Sequence, residues 1–265
     1  MRPTKSNEGK IRMIKETNTI DWLWGKNAVF EALKANRPIS RIYLEDGAKE
    51  AYRSEVIKYC RDRGIPYSFV DKKQLTYMIK SDSHQGILAQ TAPKEYIAWE
   101  ALVEDIKQKT EEPLLILLDE VEDPQNLGAI IRCADALGAN GVVITKNRSV
   151  PLTTSVARAS AGALEYVPVA RVANLAQTME RLKKMGFWLV GADVTGVRPL
   201  YEQNLRGALA IVLGGEGKGL SRLVREKCDF TISIPMLGNI NSLNVAASAA
   251  VVLYEALRQR KTILP

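Results

Sequence analysis

The sequence predicts an α/β protein in which a small α/β domain precedes a larger domain built on a mostly parallel sheet with helices on both faces. Strand-like apolar segments alternate with helix-like segments along two stretches of the chain, which is typical of sheets covered by helices. The run PLLILLDEV at 113–121 is almost continuously apolar, as expected for a strand buried on both faces. With 265 residues, 46% of them hydrophobic, the chain can fill two cores of ordinary size.

The first stretch divides the N-terminal third into a tail and a compact domain. Residues 1–18 are polar and aperiodic and predict a basic flexible tail, whereas residues 19–94 predict three helices and three strands. Residues 95–112 are acidic and helix-prone, and we expect them to act as a linker. The expected elements are the helix KNAVFEALKAN, the strand SRIYLED, the helix AYRSEVIKYCRDRG, the strand IPYSFVD, the helix KKQLTYMIK and the strand GILAQTA.

The second stretch, residues 113–265, predicts the larger domain. Strands and helices alternate again, which favours a mostly parallel sheet. After the strand at 113–121 we expect the helix NLGAIIRCADALGA, the strand GVVIT, the helix TTSVARASAGA, the strand YVPVAR, the helix NLAQTMERLKKMG, the strands FWLVGAD, ALAIVLGG and FTISIPM, and a last helix at 243–260.

Charge is distributed unevenly along the chain. Residues 1–94 carry 18 Lys and Arg against 11 Asp and Glu, a net charge of +7, whereas residues 95–265 carry 19 of each sign and are neutral. This asymmetry indicates an N-terminal part that meets a polyanion and a C-terminal part with another task. An ordinary basic surface has the same composition and stays open as the alternative.

Several chemistries are excluded by what the sequence lacks. Cys60, Cys133 and Cys228 lie far apart and form no C-x-x-C pair, so neither a disulfide framework nor a metal site is expected. Reduced thiols, together with an N-terminus that has no apolar segment, favour a cytoplasmic protein. The sole histidine, His84, lies in the N-terminal domain, which excludes Ser-His-Asp and His-metal chemistry in the larger domain.

The stretch from Phe230 to Tyr254 contains no charged residue, yet it does not predict a membrane span. Pro235 and Gly238 interrupt it, and only the 12 residues from Leu243 to Tyr254 could form a continuous apolar helix. A bilayer needs about 20 such residues. We therefore expect a buried helix that follows a neutral polar loop.

Ligands of parallel α/β sheets bind beyond the carboxyl ends of the strands, and three polar clusters follow predicted strands. The first is DEVEDPQNLGAIIRCADALG, in which Asp123 or Asn126 can cap the helix. Asn126 and Arg132 occupy the first two turns of that helix. An interpretation with Asn126 as a simple cap and Arg132 as a surface residue stays open for this segment.

The second cluster, IVLGGEGKGLS, resembles a phosphate loop but fails both nucleotide-loop templates. The P-loop needs a Gly where the chain has Val212 and a Ser or Thr where it has Gly219. The dinucleotide pattern fails because Arg222 stands three residues after Gly219. The glycines around Glu216 and Lys218 are therefore expected to let the backbone approach a ligand closely, with a tight surface turn as the alternative.

The third cluster is GNINSLN, which follows Pro235 and leads into the last helix. Ser242 or Asn241 is expected to cap this helix, and the small residues at 246–250 suit close helix packing. Amides without charges suit a ligand that is recognised by hydrogen bonds rather than by ion pairs.

The motifs NLGAIIR (126–132), LGGEGKGL (213–220) and IPMLGNINSLNVAASAA (234–250), in this order, resemble the SpoU (TrmH-like) branch of the SPOUT RNA methyltransferases. The N-terminal third, with WGKNAVFEAL and SHQGILAQ, is similar to the L30e-like domain that binds RNA in the bacterial 23S rRNA guanosine 2′-O-methyltransferases. The resemblance covers residues 20–262. It implies a SPOUT trefoil knot, S-adenosylmethionine as methyl donor, and a homodimer in which the partner chain completes each site.

The resemblance also implies the site residues. The cofactor pocket would be lined by Leu213, Gly214, Gly215, Ile234, Met236 and Leu243. The catalytic surface would consist of Asn126, Arg132, Glu216, Ser242 and Asn244. The family proposal makes Arg132 the base, but a guanidinium has a pKa above about 12 and stays protonated. We therefore expect Arg132 to bind a neighbouring phosphate and to stabilise the developing alkoxide, oriented by Glu216 and Asn126.

The resemblance therefore implies S-adenosylmethionine-dependent methylation of a ribose 2′-hydroxyl, of a guanosine in 23S rRNA, by a homodimer. Composition adds the expectation of a cytoplasmic protein that needs no metal and no membrane. One alternative is a methyltransferase that acts on tRNA or on another rRNA nucleotide, as resistance enzymes do. Another is a non-catalytic RNA-binding factor of ribosome assembly. Arg132, Glu216 and Asn244 are all present, which disfavours a non-catalytic protein.

Overall fold

The computed structural model describes residues 21–47 and 50–261, which form two α/β units that pack against each other. The predicted basic tail, residues 1–18, lies outside the described residues. None of the described helices is long and apolar enough to cross a membrane.

The N-terminal unit is a four-stranded mixed sheet with the strand order β1-β4-β2-β3. Strands β2 and β3 are parallel, and β4 runs antiparallel to both β1 and β2. All six predicted elements are present, and β1, which is too short to show a periodic pattern, is an additional edge strand. The bounds are β1 Asp21–Trp24, α1 Lys26–Lys34, β2 Ile39–Glu45, α2 Glu50–Asp62, β3 Tyr67–Val70, α3 Lys72–Ile79 and β4 Ile87–Thr91.

The segment 95–112, expected to be a linker, carries the helix α4 (Trp99–Lys109). Its Leu102 and Ile106 are buried in the core of the larger unit, and Ile97 forms a bridge with Ala170. The segment is therefore packed onto the larger sheet, because its few apolar residues fall on one face of an otherwise charged helix.

The C-terminal unit is a seven-stranded sheet with the order β7-β6-β5-β10-β8-β11-β9, in which every described strand pair is parallel. The sequence predicted a mostly parallel sheet, and the short strand β9 and the short helix α8 are additional to it. The bounds are β5 Leu114–Asp119, α5 Pro124–Ala136, β6 Gly141–Thr145, α6 Thr154–Ala159, β7 Val169–Val172, α7 Leu175–Lys184, β8 Trp188–Ala192, β9 Arg198–Pro199, β10 Leu209–Gly214, α8 Arg222–Lys227, β11 Phe230–Ser233 and α9 Val245–Arg260.

The centre of this sheet aligns the loops that carry the polar clusters. Strand β5 is buried along its whole length, as its continuous apolar sequence predicts, and it lies beside β10 with Asp119 opposite Gly214. Because the strands are parallel and in register, the loops after β5 and β10 leave the sheet at the same edge. Residues 215–219 and 120–126 are thereby brought together.

The structure shows which residues cap the N-termini of α5 and α9. Helix α5 is capped by Asp123, whose side chain accepts a hydrogen bond from the backbone N–H of Gln125. This leaves the Asn126 side chain free for another role. Helix α9 is capped by Asn244, so the prediction of Ser242 or Asn241 as the cap is wrong. The sequence offered several good capping residues in succession, and propensity alone does not choose among them.

The two units are joined by polar contacts around a shared apolar core. Glu165, after α6, accepts hydrogen bonds from Arg37 at 2.9 Å and Lys94 at 2.8 Å, and its side chain is only 3% exposed. The Tyr166 hydroxyl donates to Glu31 at 2.6 Å, which raises the pKa of Tyr166 to about 12. These contacts place α1 of the first unit against the end of α6 in the second.

Candidate active site

Three side chains, one from each predicted cluster, form a hydrogen-bonded triangle at the carboxyl edge of the larger sheet. The Asn126 amide donates to Glu216 Oε1 at 2.8 Å. The Asn244 amide donates to the same oxygen at 2.7 Å and to Asn126 Oδ1 at 2.9 Å. Residues 90 and 118 positions apart in the chain are thus brought within hydrogen-bonding distance, which no local pattern could require.

The local structure fixes each member of this triangle. Asn126 lies in the first turn of α5 and is 5% exposed. The orientation of Asn244 is fixed by its role as the cap of α9. Its Oδ1 accepts hydrogen bonds from the backbone N–H groups of Ala246 and Ala247, so its Nδ2 is turned towards Glu216. The carboxylate of Glu216 can only accept hydrogen bonds when ionised, so the orientation of both amides follows from the network.

The glycine-rich loop after β10 is shaped by contacts with the chain's own backbone. A Cβ on Gly215 would lie 2.3 Å from the carbonyl oxygen of Glu120, and one on Gly214 would lie 2.1 Å from the backbone of Gly219. At these two positions any side chain would clash with protein backbone, so the glycines allow the loop to fold tightly against the chain. The tight loop holds Glu216 against α5.

A cavity of about 480 Å³ opens beside the triangle. Its volume is in the range of small-molecule sites. All six residues expected to bind the cofactor line it, and so do Glu216, Ser242 and Asn244. The walls combine apolar side chains from β10 and from the loop after β11 with neutral amides, and they include backbone of the glycine-rich loop. The predicted cofactor residues on the wall are Leu213, Gly214, Gly215, Ile234, Met236 and Leu243.

Arg132 and Ser242, the other two residues predicted to be catalytic, lie outside the hydrogen-bonded triangle. Arg132 is exposed on α5, does not line the cavity and makes no hydrogen bond or ion pair with any described residue. Ser242 lines the cavity, but its hydroxyl has no protein partner within residues 21–47 and 50–261. The single chain therefore assembles Asn126, Glu216 and Asn244, and leaves Arg132 facing outwards.

Family models match both units of the chain. The model of the SpoU rRNA methylase family matches residues 113–254, and the model for RNA 2′-O ribose methyltransferase substrate binding matches residues 22–97. The chain belongs to the SpoU family of RNA methyltransferases. These enzymes transfer a methyl group from S-adenosylmethionine to the ribose 2′-hydroxyl of RNA, so the activity and the cofactor inferred from the three motifs are confirmed.

Known proteins of this family cover either nearly the whole chain or a smaller part of it. YacO of Bacillus subtilis, assigned to the TrmH family of tRNA/rRNA methyltransferases, is 44% identical over 92% of this chain and 97% of its own. The SpoU methyltransferase AviRb of Streptomyces viridochromogenes, solved with S-adenosylmethionine, is 25% identical with a TM-score of 0.75, covering 90% of this chain and 89% of its own. The TrmH/SpoU tRNA-modifying enzyme of A. aeolicus is 27% identical with a TM-score of 0.52, and covers 61% of this chain and 85% of its own.

This SpoU methyltransferase also has charged cavity residues that sequence reasoning missed. Asp193 and Arg225 line the same cavity as Glu216 and Asn244. Asp193 directly follows β8, so the rule that ligands bind beyond the carboxyl ends of strands could have found it in FWLVGAD. Nothing in the sequence marked Arg225, which lies on the short helix α8.

Among the described residues there is no group of three or more His, Cys, Asp or Glu that could hold a metal ion.

Proposed function

We propose that this SpoU methyltransferase modifies a guanosine of 23S rRNA, and that the 480 Å³ cavity holds S-adenosylmethionine beside the Asn126–Glu216–Asn244 triangle. The triangle carries this proposal, because Glu216 and Asn244 line the cavity and are held in one hydrogen-bonded network with Asn126. We assign substrate binding to residues 19–94 and catalysis to residues 113–265, with residues 95–112 between them.

The uncharged part of the cavity wall suits the sulfur of the cofactor. S-adenosylmethionine supplies a methyl group on a positively charged sulfur, and this charge disappears as the methyl group is transferred. Apolar side chains such as Ile234, Met236 and Leu243 leave that loss of charge unopposed, whereas a carboxylate beside the sulfur would stabilise the starting state more than the transition state. Positioning the acceptor then provides much of the rate enhancement.

Glu216 and the two amides are proposed to orient the acceptor. Oε1 of Glu216 accepts both amide hydrogen bonds, and Oε2 accepts none from the described residues. Oε2 is therefore available to a donor such as a ribose hydroxyl or a guanidinium. Ser242, also on the cavity wall, provides a further donor or acceptor for the ligand.

We propose that Arg132 acts in the site of a second copy of the chain, where it binds a phosphate and stabilises the developing alkoxide. The support is that Arg132 faces outwards and that an apolar groove of about 590 Å³ lies nearby, lined by Leu137 at the end of α5 and by Val251 and Tyr254 on α9. Tyr254 is 62% exposed, and exposed aromatic residues in a groove mark protein interfaces. We also propose that the chain forms the trefoil knot of the SPOUT fold.

Mixed dimers test this arrangement. Arg132→Ala and Glu216→Gln should each abolish methyl transfer in a homodimer. Equal co-expression of the two variants gives mixed dimers in about half of the population, each with one intact site, so about a quarter of the wild-type activity should return. Sites built from a single chain would return none.

Ribosomal RNA is favoured over tRNA by the N-terminal unit. The A. aeolicus tRNA-modifying enzyme corresponds to only 61% of this chain, whereas AviRb covers 90% of it. The additional unit lies in the basic part of the chain, since residues 1–94 carry a net charge of +7. A basic domain that binds phosphates and reads RNA shape suits a large folded RNA.

Mapping of 2′-O-methylation in cells with and without this protein tests the substrate directly. We expect one guanosine of 23S rRNA to lose its methyl group when the gene is deleted and to regain it with the wild-type gene but not with Glu216→Gln. Loss of a methyl group from a tRNA, with 23S rRNA unchanged, would establish the tRNA alternative instead.

A further inference from the structure

Asp193, Thr195 and Arg225 form a charged cluster, and Asp193 and Arg225 belong to the cavity wall. Asp193, which follows β8, accepts hydrogen bonds at Oδ1 from the backbone N–H of Thr195 at 2.8 Å and from its hydroxyl at 2.7 Å. Its Oδ2 accepts from Arg225 Nη2 at 2.5 Å, and Arg225 Nη1 donates to the Thr195 hydroxyl at 3.2 Å. The guanidinium of Arg225 is thus fixed by two acceptors.

Asp193 can hold Arg225 because it stays ionised. Its side chain is 2% exposed, and burial alone would raise its pKa. The hydrogen bonds from Thr195 and the charge of Arg225 outweigh that effect and keep the pKa of Asp193 below its ordinary value. A buried carboxylate that is fully hydrogen-bonded makes a rigid support for a cation.

Arg225 itself remains accessible from the cavity. It lines the cavity and its side chain is 42% exposed, whereas two of its five N–H groups are needed for Asp193 and Thr195. The other positively charged residue on the wall, Lys218, lies in the exposed glycine-rich loop and has no ion pair with any described residue. Arg225 is therefore the pre-oriented cation of this cavity, and Lys218 is the unfixed one.

The cofactor of this family carries one carboxylate, on its methionine part, and that group needs a cationic partner when it leaves water. A planar guanidinium binds a carboxylate through parallel hydrogen bonds, which a lysine ammonium does not. We propose that Arg225, positioned by Asp193 and Thr195, binds the α-carboxylate of S-adenosylmethionine. Arg225 is then a cofactor-binding residue and Asp193 a positioning residue, and neither role depends on which RNA is methylated.

Decarboxylated S-adenosylmethionine provides the test, because it lacks only the carboxylate. Calorimetric titration of the full-length wild-type protein should show that S-adenosylmethionine binds at least about tenfold more tightly than the decarboxylated compound, since a charged hydrogen bond contributes about 1.5–3 kcal/mol. Arg225→Met should remove this preference. The affinity for S-adenosylmethionine should fall to that for the decarboxylated compound, and the affinity for the decarboxylated compound should change less than about twofold.

Two variants serve as controls for this experiment. Arg222→Met removes a cation from the same helix at a position whose side chain is 91% exposed and does not line the cavity, and it should leave both affinities unchanged. Lys218→Met should weaken the binding of both compounds only slightly and preserve the preference for S-adenosylmethionine. If Lys218→Met rather than Arg225→Met removes the preference, the lysine is the carboxylate partner and the proposal is wrong.

Two further outcomes would overturn the proposal. Equal loss of affinity for both compounds in Arg225→Met would show that Arg225 only supports the cavity wall. Equal binding of both compounds by the wild-type protein would show that no residue recognises the carboxylate, and this measurement is decisive even if Arg225→Met does not fold.

Discussion

Asn244 performs two tasks that can be separated by substitution. Its Oδ1 caps helix α9, and its Nδ2 donates to Glu216 and Asn126. Asn244→Ala removes both tasks. Loss of an N-cap costs about 1 kcal/mol, and loss of a hydrogen bond to a carboxylate costs about 1.5 kcal/mol at an exposed site such as Glu216. We therefore expect Asn244→Ala to lower the free energy of unfolding by about 2–3 kcal/mol.

Asn244→Ser keeps the first task and removes the second. A serine hydroxyl caps a helix about as well as an asparagine, but it is too short and has no second donor group for Glu216. The free energy of unfolding should fall by only about 1.5 kcal/mol, whereas methyl transfer should be lost as completely as in Asn244→Ala. Urea unfolding at one fixed protein concentration gives the first quantity, and transfer of a labelled methyl group to RNA gives the second.

The comparison between the two variants decides whether the structural reasoning holds. If Asn244→Ser destabilises the protein as much as Asn244→Ala, the hydrogen bonds to Ala246 and Ala247 do not cap the helix. If Asn244→Ser retains methyl transfer within about twofold of the wild type, the triangle with Glu216 is not required for catalysis.

Four more outcomes are expected. Gly128→Ala would place a Cβ 2.3 Å from that of Ala159 on α6, so the free energy of unfolding should fall by about 1–3 kcal/mol and the melting temperature should drop. Glu165→Gln should cost about 3 kcal/mol in urea unfolding and speed proteolysis between the two units, because it leaves Arg37 buried without its carboxylate. The pKa of Asp193 would be raised by burial alone but is lowered overall by its hydrogen bonds and by Arg225, so its ionised form stabilises the fold above the unfolded-state pKa. The difference in unfolding free energy between wild type and Asp193→Asn should thus be full at pH 7 and shrink as the pH falls below about 4. RNA binding by the full-length chain should weaken steeply with salt, and a flat response in a filter-binding assay would remove the electrostatic role of the basic N-terminal third.

The order of strands and helices could be predicted because it depends on local periodicity. The buried strand β5 and the alternation that follows it required only the apolar pattern. The packing of α4 could not be predicted in the same way, since its Leu102 and Ile106 are few and its other residues are charged. Whether such a helix docks depends on an acceptor surface elsewhere in the fold.

The site was predictable as a set of residues but not as a geometry. Family motifs indicated the residues that line the cavity, whereas the contact of Asn126 with Glu216, 90 residues away in the chain, could not be predicted from local sequence. Asp193 and Arg225 were missed because neither belongs to a motif, and their significance arises only where β8 and α8 meet.

The hydrogen-bonded triangle gives a physical reason for the absence of charged residues between Phe230 and Tyr254. Glu216 is stabilised by amides, which donate hydrogen bonds without cancelling its charge, whereas a lysine or arginine at position 244 would have formed a neutral pair. Its carboxylate therefore lines the cavity without a cationic partner among the described residues to offset its charge. Under the proposed function this charge attracts Arg132 of a second copy, so the neutral stretch and the outward-facing arginine become two requirements of one composite site. A cation introduced by Asn244→Lys should accordingly inactivate the protein even where the fold and the dimer persist.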